Sequence, residues 1–260
     1  MKKSHWLLIF IGGIILWAGM ILCCMIVLQF GSESFSQEEL IDASEEAYRF
    51  DPQTILTGNA SGDNIFVQIP FPEKFPEPFP AAIFWRQKEY LQVIDLFMED
   101  ILRENRNSWE LISIGSTRSC SGMEIELQNF GMDLQKSVLL SNVNHRIEIH
   151  IGIAPQIEMA TLLRREYAPD EGGYRTIAWN DIVIPAEQAL LIAEQNGGAV
   201  VRQALGNQCR ITISLTAGIQ KNDWRIDYEP LNEPSVFEIA VDEKTGKYRI
   251  LREFKIVKSP

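Results

Sequence analysis

The four cysteines are the most reactive side chains of the sequence, and their positions divide them into two pairs. Cys23 and Cys24 lie within WLLIFIGGIILWAGMILCCMIVLQF, residues 6–30, a run without any charged residue. Ordinary apolar packing explains cysteines in such a run, and lipidation or crosslinking of two chains is the alternative. Cys120 and Cys209 lie far outside the run, so their chemistry depends on the compartment in which they reside.

The three histidines do not form a metal-binding pattern. His145 and His150 are five residues apart, which places them on opposite faces of one predicted strand. The sequence has no HExxH, no G-x-S-x-G, no P-loop and no glycine-rich dinucleotide motif. Asp242 and Glu243 could bind a cation, but turn chemistry explains both better. We therefore predict no catalytic residue, no metal site and no cofactor, and we expect that the protein is not an enzyme.

The uncharged run at residues 6–30 predicts a membrane anchor. A helix that crosses ~30 Å of hydrocarbon needs ~20 apolar residues. A cleaved signal peptide is the alternative, but its apolar core is normally only ~7–15 residues long. Because Lys2 and Lys3 precede the run, we predict a single-pass protein of the cell membrane with a cytoplasmic tail at residues 1–5. The lipid bilayer is then its first partner, and the remainder of the chain is extracytoplasmic.

Export has consequences for the remaining cysteines and for the surface. Cys120 and Cys209 are the two exported cysteines, and an oxidising compartment favours a disulfide between them; two buried thiols are the alternative. From Gly31 onward the chain carries 35 acidic and 24 − 2 = 22 basic residues, a net charge of −13. Such a surface repels nucleic acid, which we exclude as a partner.

Residues 31–81 predict a short helix followed by a proline-rich linker. Ser36 and Glu39 have the capping-box spacing, and we expect a helix from there to about Phe50. IPFPEKFPEPFP, residues 69–80, favours extended backbone because prolines lack an N–H donor. This stretch predicts a semi-rigid stalk or an extended strand, and a ligand for a proline-binding module is the alternative.

The rest of the chain predicts an α+β fold in which antiparallel sheets pack on helices. In residues 82–170, apolar residues between Tyr90 and Leu102 recur every three or four positions, which is typical of a helix with one buried face. Residues 180–260 predict helices at 185–195 and 199–205 and a tight turn at Gly246. Period-two alternation predicts strands at residues 122–128, 145–153, 161–167, 209–216, 223–229 and 236–251.

The residues from Ile184 to Phe254 resemble the PepSY domain family. The similar stretches are PAEQALLIAEQNGG, CRITISLT, DWRIDY and FEIAVDEKTGKYRIL. The resemblance implies a helix followed by a three-stranded antiparallel sheet with a VD-x-x-TG turn, although Pro185 stands where the family usually has a capping Ser or Thr. Residues 87–167 are a possible degenerate second copy, because LLRREY at 162–167 aligns with RILREF at 249–254.

The resemblance also implies a function. Some PepSY domains occur in protease propeptides and are thought to restrain peptidases, so we expect a tethered binding or regulatory module that acts on a peptidase or another envelope protein. A structural or assembly component of a cell-envelope complex is the alternative. Trp224, Tyr228 and Phe237 are the aromatic residues that we predict for a binding surface, and packing in the core is the alternative for all three.

Overall fold

The computed structural model describes residues 39–57, 65–73, 85–121, 127–170, 172–206, 208–218, 222–231 and 234–254. Residues from Leu40 onward form one compact unit. Its strands are β1 (Glu39–Arg49), β2 (Val67–Ile69), β3 (Glu110–Ser119), β4 (Phe130–Leu140), β5 (Val143–Ala154), β6 (Met159–Ala168), β7 (Cys209–Thr216), β8 (Asp223–Pro230), β9 (Phe237–Asp242) and β10 (Tyr248–Arg252). Its α-helices are α1 (Pro52–Leu56), α2 (Gln87–Phe97), α3 (Ala186–Ala193) and α4 (Ala199–Ala204).

All ten strands belong to one sheet, in the order β10-β9-β8-β7-β3-β4-β5-β6-β1-β2. Two helix-and-meander units provide eight of these strands, β3 to β10. In the first unit α2 precedes β3 to β6, and in the second α3 and α4 precede β7 to β10. The first strands of the two units pair antiparallel, from Ser113 opposite Thr216 to Ser119 opposite Arg210. The two meanders therefore extend in opposite directions from the β3–β7 pair.

This single sheet overturns the expected fold class. We expected separate antiparallel sheets in small PepSY-like α-β-β-β units, and that expectation is wrong. The seven residue pairs between β3 and β7 join the two meanders into one sheet, and β1 and β2 extend it further. Among the residues described above, no helix is both long and apolar enough to cross a bilayer. The predicted anchor at 6–30 lies outside the described residues.

The predicted helix before Phe50 is also wrong, because residues Glu39–Arg49 form the strand β1. Ala47 and Tyr48 are buried there, between the neighbouring strands β6 and β2. Strands β3 and β4 were not predicted, and most of the predicted strand at 122–128 lies outside the described residues. The stretches LLRREY and RILREF both lie in the fourth strand of their meander. The proposed repeat itself stays a prediction.

Several predicted elements are confirmed. Helices α2, α3 and α4 and strands β5 to β10 occupy the expected stretches. Gly246 has a φ of 70° in the β9–β10 turn, as a tight turn requires.

The helices cover one face of the sheet. α2 contacts β5, and α3 contacts β7, β8 and β9. Alternate residues of the strands are buried beneath these helices, among them Met132, Ile151, Ile213 and Ile226. The intervening residues of β3, β4 and β5 point to the opposite face, where those between Ser113 and Thr117, Gly131 and Asp133, and Glu148 and Gly152 are half-buried. Gln135 and Arg146 on this face are buried. This second face carries the candidate site.

Candidate functional site

Three glycines lie side by side in the middle of the second face. Gly115 of β3 pairs with Gly131 of β4, which pairs in turn with Gly152 of β5. Because glycine has no side chain, this row leaves space above the backbone of three strands. We call the depression above it the glycine trough. A glycine inside a strand often marks a place where another group approaches the backbone closely.

The three glycines differ in what a side chain would meet. A Cβ at Gly131 would lie 2.9 Å from Cε1 of His150, and a Cβ at Gly152 would lie 2.6 Å from Oγ1 of Thr161. These two glycines therefore make room for neighbouring side chains. At Gly115 no atom lies within 4 Å of the corresponding position. Packing thus explains the glycines of β4 and β5, whereas the glycine of β3 faces open space.

Beside the glycine row lies a second row, with a hydrogen-bonded cluster. Ser113, Asp133 and His150 occupy directly opposed positions on β3, β4 and β5. Ser113 Oγ donates to Asp133 Oδ2, and His150 Nδ1 lies 2.7 Å from Asp133 Oδ1. The carboxylate thus joins the serine to the histidine.

The charge state of Asp133 decides which histidine nitrogen carries the proton. Burial raises the pKa of Asp133, but hydrogen bonds from His150 and Ser113, with the positive charges of His150 and Arg165, outweigh it and lower the pKa below its usual value. An ionised carboxylate only accepts, so Nδ1 of His150 is the donor. Nε2 is left over the trough, 3.2 Å from where a Cβ of Gly131 would lie. In the neutral ring this nitrogen accepts a hydrogen bond.

Two adjoining cavities of ≈ 470 Å³ and ≈ 390 Å³ share Ser113, Asp133, His150 and Thr216, and the three glycines line the smaller one. We include both cavities in the glycine trough. These volumes lie within the ~300–1,000 Å³ that is usual for small-molecule sites. Hydroxyl groups dominate the polar lining, and they belong to Ser113, Ser116, Thr117, Thr161, Tyr174, Thr212, Ser214 and Thr216.

A loop after β6 forms one wall of the larger cavity through Tyr174. The Gln135 side chain fixes this residue, because its Nε2 donates to Tyr174 O at 2.8 Å and its Oε1 accepts from Tyr174 N at 3.0 Å. Arg146 lies beneath, 4.8 Å from the Tyr167 ring and 5.6 Å from the Tyr174 ring. It also donates to Glu148 at 2.8 Å. The wall is therefore attached to the sheet by buried polar contacts.

This geometry does not assemble a nucleophile. In a hydrolytic triad the histidine lies between serine and carboxylate and takes the serine proton. Here the carboxylate lies between them, and Ser113 donates to it. The arrangement therefore offers fixed hydrogen-bonding groups to a ligand, without an activated hydroxyl.

The aromatic residues predicted for a binding surface lie in the core instead. Trp224 and Tyr228 are 0% exposed and Phe237 is 3% exposed. Trp224 Nε1 donates to Ile184 O at 2.8 Å, and Tyr228 Oη donates to Glu194 Oε1 at 2.7 Å. Their polar atoms are thus used inside the fold. The core-packing alternative describes all three residues, and we place no binding surface on them.

The predicted disulfide is present. Cys120 and Cys209 are bonded, with their Cα atoms 5.1 Å apart, and both residues are buried. Cys120 N also donates to Cys209 O at 2.8 Å. The bond therefore joins the ends of β3 and β7, where the two meanders meet.

The remaining acidic and histidine predictions concern local structure. Asp242 Oδ1 accepts from the backbone N–H groups of Lys244 and Thr245 at 3.2 Å and 2.8 Å, so it stabilises the turn. His145 Nδ1 lies 2.9 Å from Glu166 Oε1, whereas His150 contacts Asp133. The two histidines thus belong to different sites, as their spacing predicted.

Sequence reasoning missed the trough although one signal was present. Gly115, Gly131 and Gly152 each interrupt a stretch that otherwise has strand character, which marks close approach to the backbone. His150 was noticed, but its partner Asp133 lies on a strand that was not predicted.

Comparison with known proteins gives no relative. No family model matches the chain, and neither the curated proteins nor the solved structures include a significant match.

Proposed function

We propose that the protein is a membrane-tethered, extracytoplasmic binding or regulatory module, and that the glycine trough is its ligand site. Gly115 carries this proposal. Within a strand, glycine lowers the stability of the fold by about 0.5–1 kcal/mol relative to alanine. At Gly115 an added Cβ would have no atom within 4 Å, so packing does not require a glycine there. Gly115 thus weakens a central strand and brings no packing benefit. A ligand that lies close to the backbone at this position would explain why the residue is glycine.

The lining supports a small, hydroxyl-rich ligand without strong net charge. The lining has two carboxylates, Asp133 and Glu148, and one guanidinium group, Arg165. Asp133 is bonded to His150, and Glu148 accepts from Arg146 beneath the cavity. Since each carboxylate has a basic partner, we expect no strong preference for an anion or a cation. The serine and threonine hydroxyls and Nε2 of His150 can donate or accept, which suits the hydroxyl groups of a neutral sugar.

The tether and the wider role rest on the sequence. The uncharged run at 6–30 supports a tether in the cell membrane, and the PepSY-like residues from Ile184 to Phe254 support regulation of a peptidase or another envelope protein. We propose that the module has no catalytic activity of its own, because Ser113 is bonded to Asp133 and not to His150, which leaves it without the histidine base of a hydrolytic triad.

Ligand binding to the full chain tests the proposal. The chain is placed in phosphatidylcholine nanodiscs without any sugar-headed detergent. Saturation-transfer NMR is then recorded with cellobiose and chitobiose as neutral probes, and with a sugar phosphate and a dipeptide as charged probes. We expect a neutral probe to bind wild type. Gly115→Leu should abolish its binding, because the new side chain extends into the trough.

A matched control distinguishes blocking from damage to the sheet. Arg225 of β8 is in the same cross-strand row as Gly115, because both pair with Ser214 of β7. Its side chain is exposed, so Arg225→Leu adds an apolar group to the row without entering the trough. This variant should bind as wild type does. Binding that survives in Gly115→Leu, or that is absent for every probe, contradicts the proposal.

One observation favours a structural or assembly role as a second candidate. Strand β10 is an edge of the sheet, and Tyr248, Ile250 and Leu251 on it are exposed. Such an edge can add a strand from another chain. Replacing Ile250 by proline removes a backbone donor from this edge. A complex that is lost in Ile250→Pro and retained in Gly115→Leu would favour assembly over ligand binding.

A further inference from the structure

One end of the sheet carries a projecting hairpin. Strands β4 and β5 pair up to Leu140 and Val143, and Ser141 and Asn142 between them have φ values of 50° and 66°. Two left-handed residues form the type I′ turn that suits a two-residue hairpin loop. On the other side of β4, the pairing with β3 ends at Gln135. The rest of β4 therefore extends beyond that neighbour.

The end of this hairpin exposes apolar side chains. Leu139, Leu140 and Val143, which we name the apolar tip, are 67%, 44% and 42% exposed. Single exposed apolar residues are ordinary on protein surfaces, but several together on a projecting turn are typical of a contact surface.

Strand β1 begins at the same end of the sheet. Strand β5 is antiparallel to β4, and β6 is antiparallel to β5. Phe50 N donates to Glu158 O at 3.0 Å, and Arg164 Nη1 lies 3.2 Å from Asp42 Oδ2, so β1 runs antiparallel to its neighbour β6. The first residues of β1 therefore lie at the end of the sheet that carries the apolar tip.

We propose that this end of the sheet contacts the lipid surface, with the apolar tip in the interfacial layer; the inference rests on the proposed tether. Leu40 and Ile41, at the start of β1, are 51% and 54% exposed and add apolar surface at this end. The uncharged run ends at Phe30, and the ten residues from there to Leu40 reach at most ~35 Å. The net charge of −13 beyond that run makes an apolar contact more favourable than one with anionic headgroups.

This contact would set the height of the ligand site above the bilayer. Asp133 lies seven residues before Leu140 along β4, and at ~3.3 Å per residue this places it ~23 Å from the tip. The trough would then face a layer just outside the headgroups. A tethered partner or a surface-bound sugar chain could be reached at that height.

Lipid quenching of a fluorophore at the tip tests the inference. A full chain with Cys23→Ala and Cys24→Ala keeps the Cys120–Cys209 disulfide, so an added cysteine is the one free thiol. Leu140→Cys is labelled with a small fluorophore in phosphatidylcholine nanodiscs that contain nitroxide lipid. Leu231→Cys is the control, because Leu231 is 63% exposed and follows the end of β8 at the opposite end of the sheet.

We expect nitroxide lipid to quench the label severalfold more at residue 140 than at residue 231. Equal quenching at both positions, in a chain that floats with lipid vesicles, overturns the contact while the tether remains. Energy transfer between labelled copies, without quenching by lipid, would show that the apolar tip contacts a second copy of the chain. It would also overturn the lipid contact. If the chain does not float with lipid vesicles, the tether and the lipid contact are both wrong. Sugar binding by the glycine trough is measured in its own experiment and does not depend on this result.

Discussion

His150 Nδ1 lies 2.7 Å from Asp133 Oδ1, between directly opposed residues of β5 and β4. The pair holds the imidazole ring over Gly131, where a side chain would collide with it. One carboxylate therefore fixes both the proton position and the orientation of the histidine. The ring can then present Nε2 to a ligand without first losing rotational freedom.

Asp133→Asn should weaken the pH dependence of stability in acid. The pKa of Asp133 is lowered in the folded protein, so the ionised carboxylate contributes stability above its unfolded pKa of about 4. That contribution is lost as the pH falls through the lower folded pKa. Because the side chain is 42% exposed, solvent screening limits the effect to about 1 kcal/mol or less. Urea unfolding of wild type and variant between neutral pH and pH ~3 measures it.

The control for this prediction is Ser113→Ala. It removes one hydrogen bond to Asp133 but keeps the carboxylate. We expect an intermediate pH dependence, since the contact with His150 remains. Identical curves for wild type and Asp133→Asn would contradict the assigned role of the carboxylate.

Asp227→Asn should stabilise the protein at neutral pH. Burial raises the pKa of Asp227, the charges of Glu238 and Glu229 raise it further, and Ser235 and Arg225 oppose the shift. A raised carboxyl pKa means that stability falls as the pH rises above the unfolded value. Asparagine removes this repulsion and keeps an oxygen that can accept from Ser235. We expect a gain of about 0.5 kcal/mol in the free energy of unfolding, after screening, and no gain below pH ~4.

The amino-acid pattern predicted the second meander better than the first. Ile211, Ile213 and Leu215 of β7 alternate with polar residues and are buried, as predicted. In β3, by contrast, the pairing with β4 shifts between Leu111 and Ser113, so the alternation is interrupted. The residues of β3 on the open face are also small and weakly polar, so the alternation of apolar and polar residues along this strand is weak.

Strand β1 shows how tertiary contacts override a local signal. Ser36 and Glu39 have the spacing of a capping box, yet residues from Glu39 onward are extended. Tyr48 packs edge-on against Phe97 at a centroid distance of 5.2 Å. Pairing on both sides and this aromatic contact favour the strand. Neither neighbour is visible in a local window of sequence, and for the same reason the pairing of Asp133 with His150 could not be predicted.

Breaking the disulfide should lower stability substantially. Cys120 and Cys209 are 89 residues apart, and closing a loop of that size restricts the unfolded chain by about 4–5 kcal/mol in the chain-entropy model. We expect Cys120→Ala/Cys209→Ala to lose up to this amount, measured by urea unfolding of the full chain. Cys23→Ala/Cys24→Ala is the matched control and should unfold as wild type does. An unchanged midpoint in the first variant would show that the bond does not constrain the unfolded state.

Two glycine-to-alanine changes should have opposite effects, because their surroundings differ. At Gly115 a Cβ meets no atom within 4 Å, so alanine should stabilise the strand by about 0.5 kcal/mol. At Gly198 the backbone has helical φ and ψ, but a Cβ would lie 2.0 Å from Tyr228 Oη. Tyr228 must then move and strain its hydrogen bond to Glu194. We expect Gly198→Ala to cost about 2 kcal/mol.

A double variant tests whether Tyr228 is the cause of that cost. In Tyr228→Phe the hydroxyl oxygen nearest to the new Cβ is absent, so Gly198→Ala should cost less in this background than in wild type. The ring carbon Cζ would still lie 2.5 Å away, and the backbone oxygen of Ala193 2.9 Å away, so relief should be partial. Equal costs in both backgrounds would place the strain on the ring carbon or on the backbone oxygen of Ala193, and not on the hydroxyl. Thermal unfolding of the four proteins in this cycle measures the coupling directly.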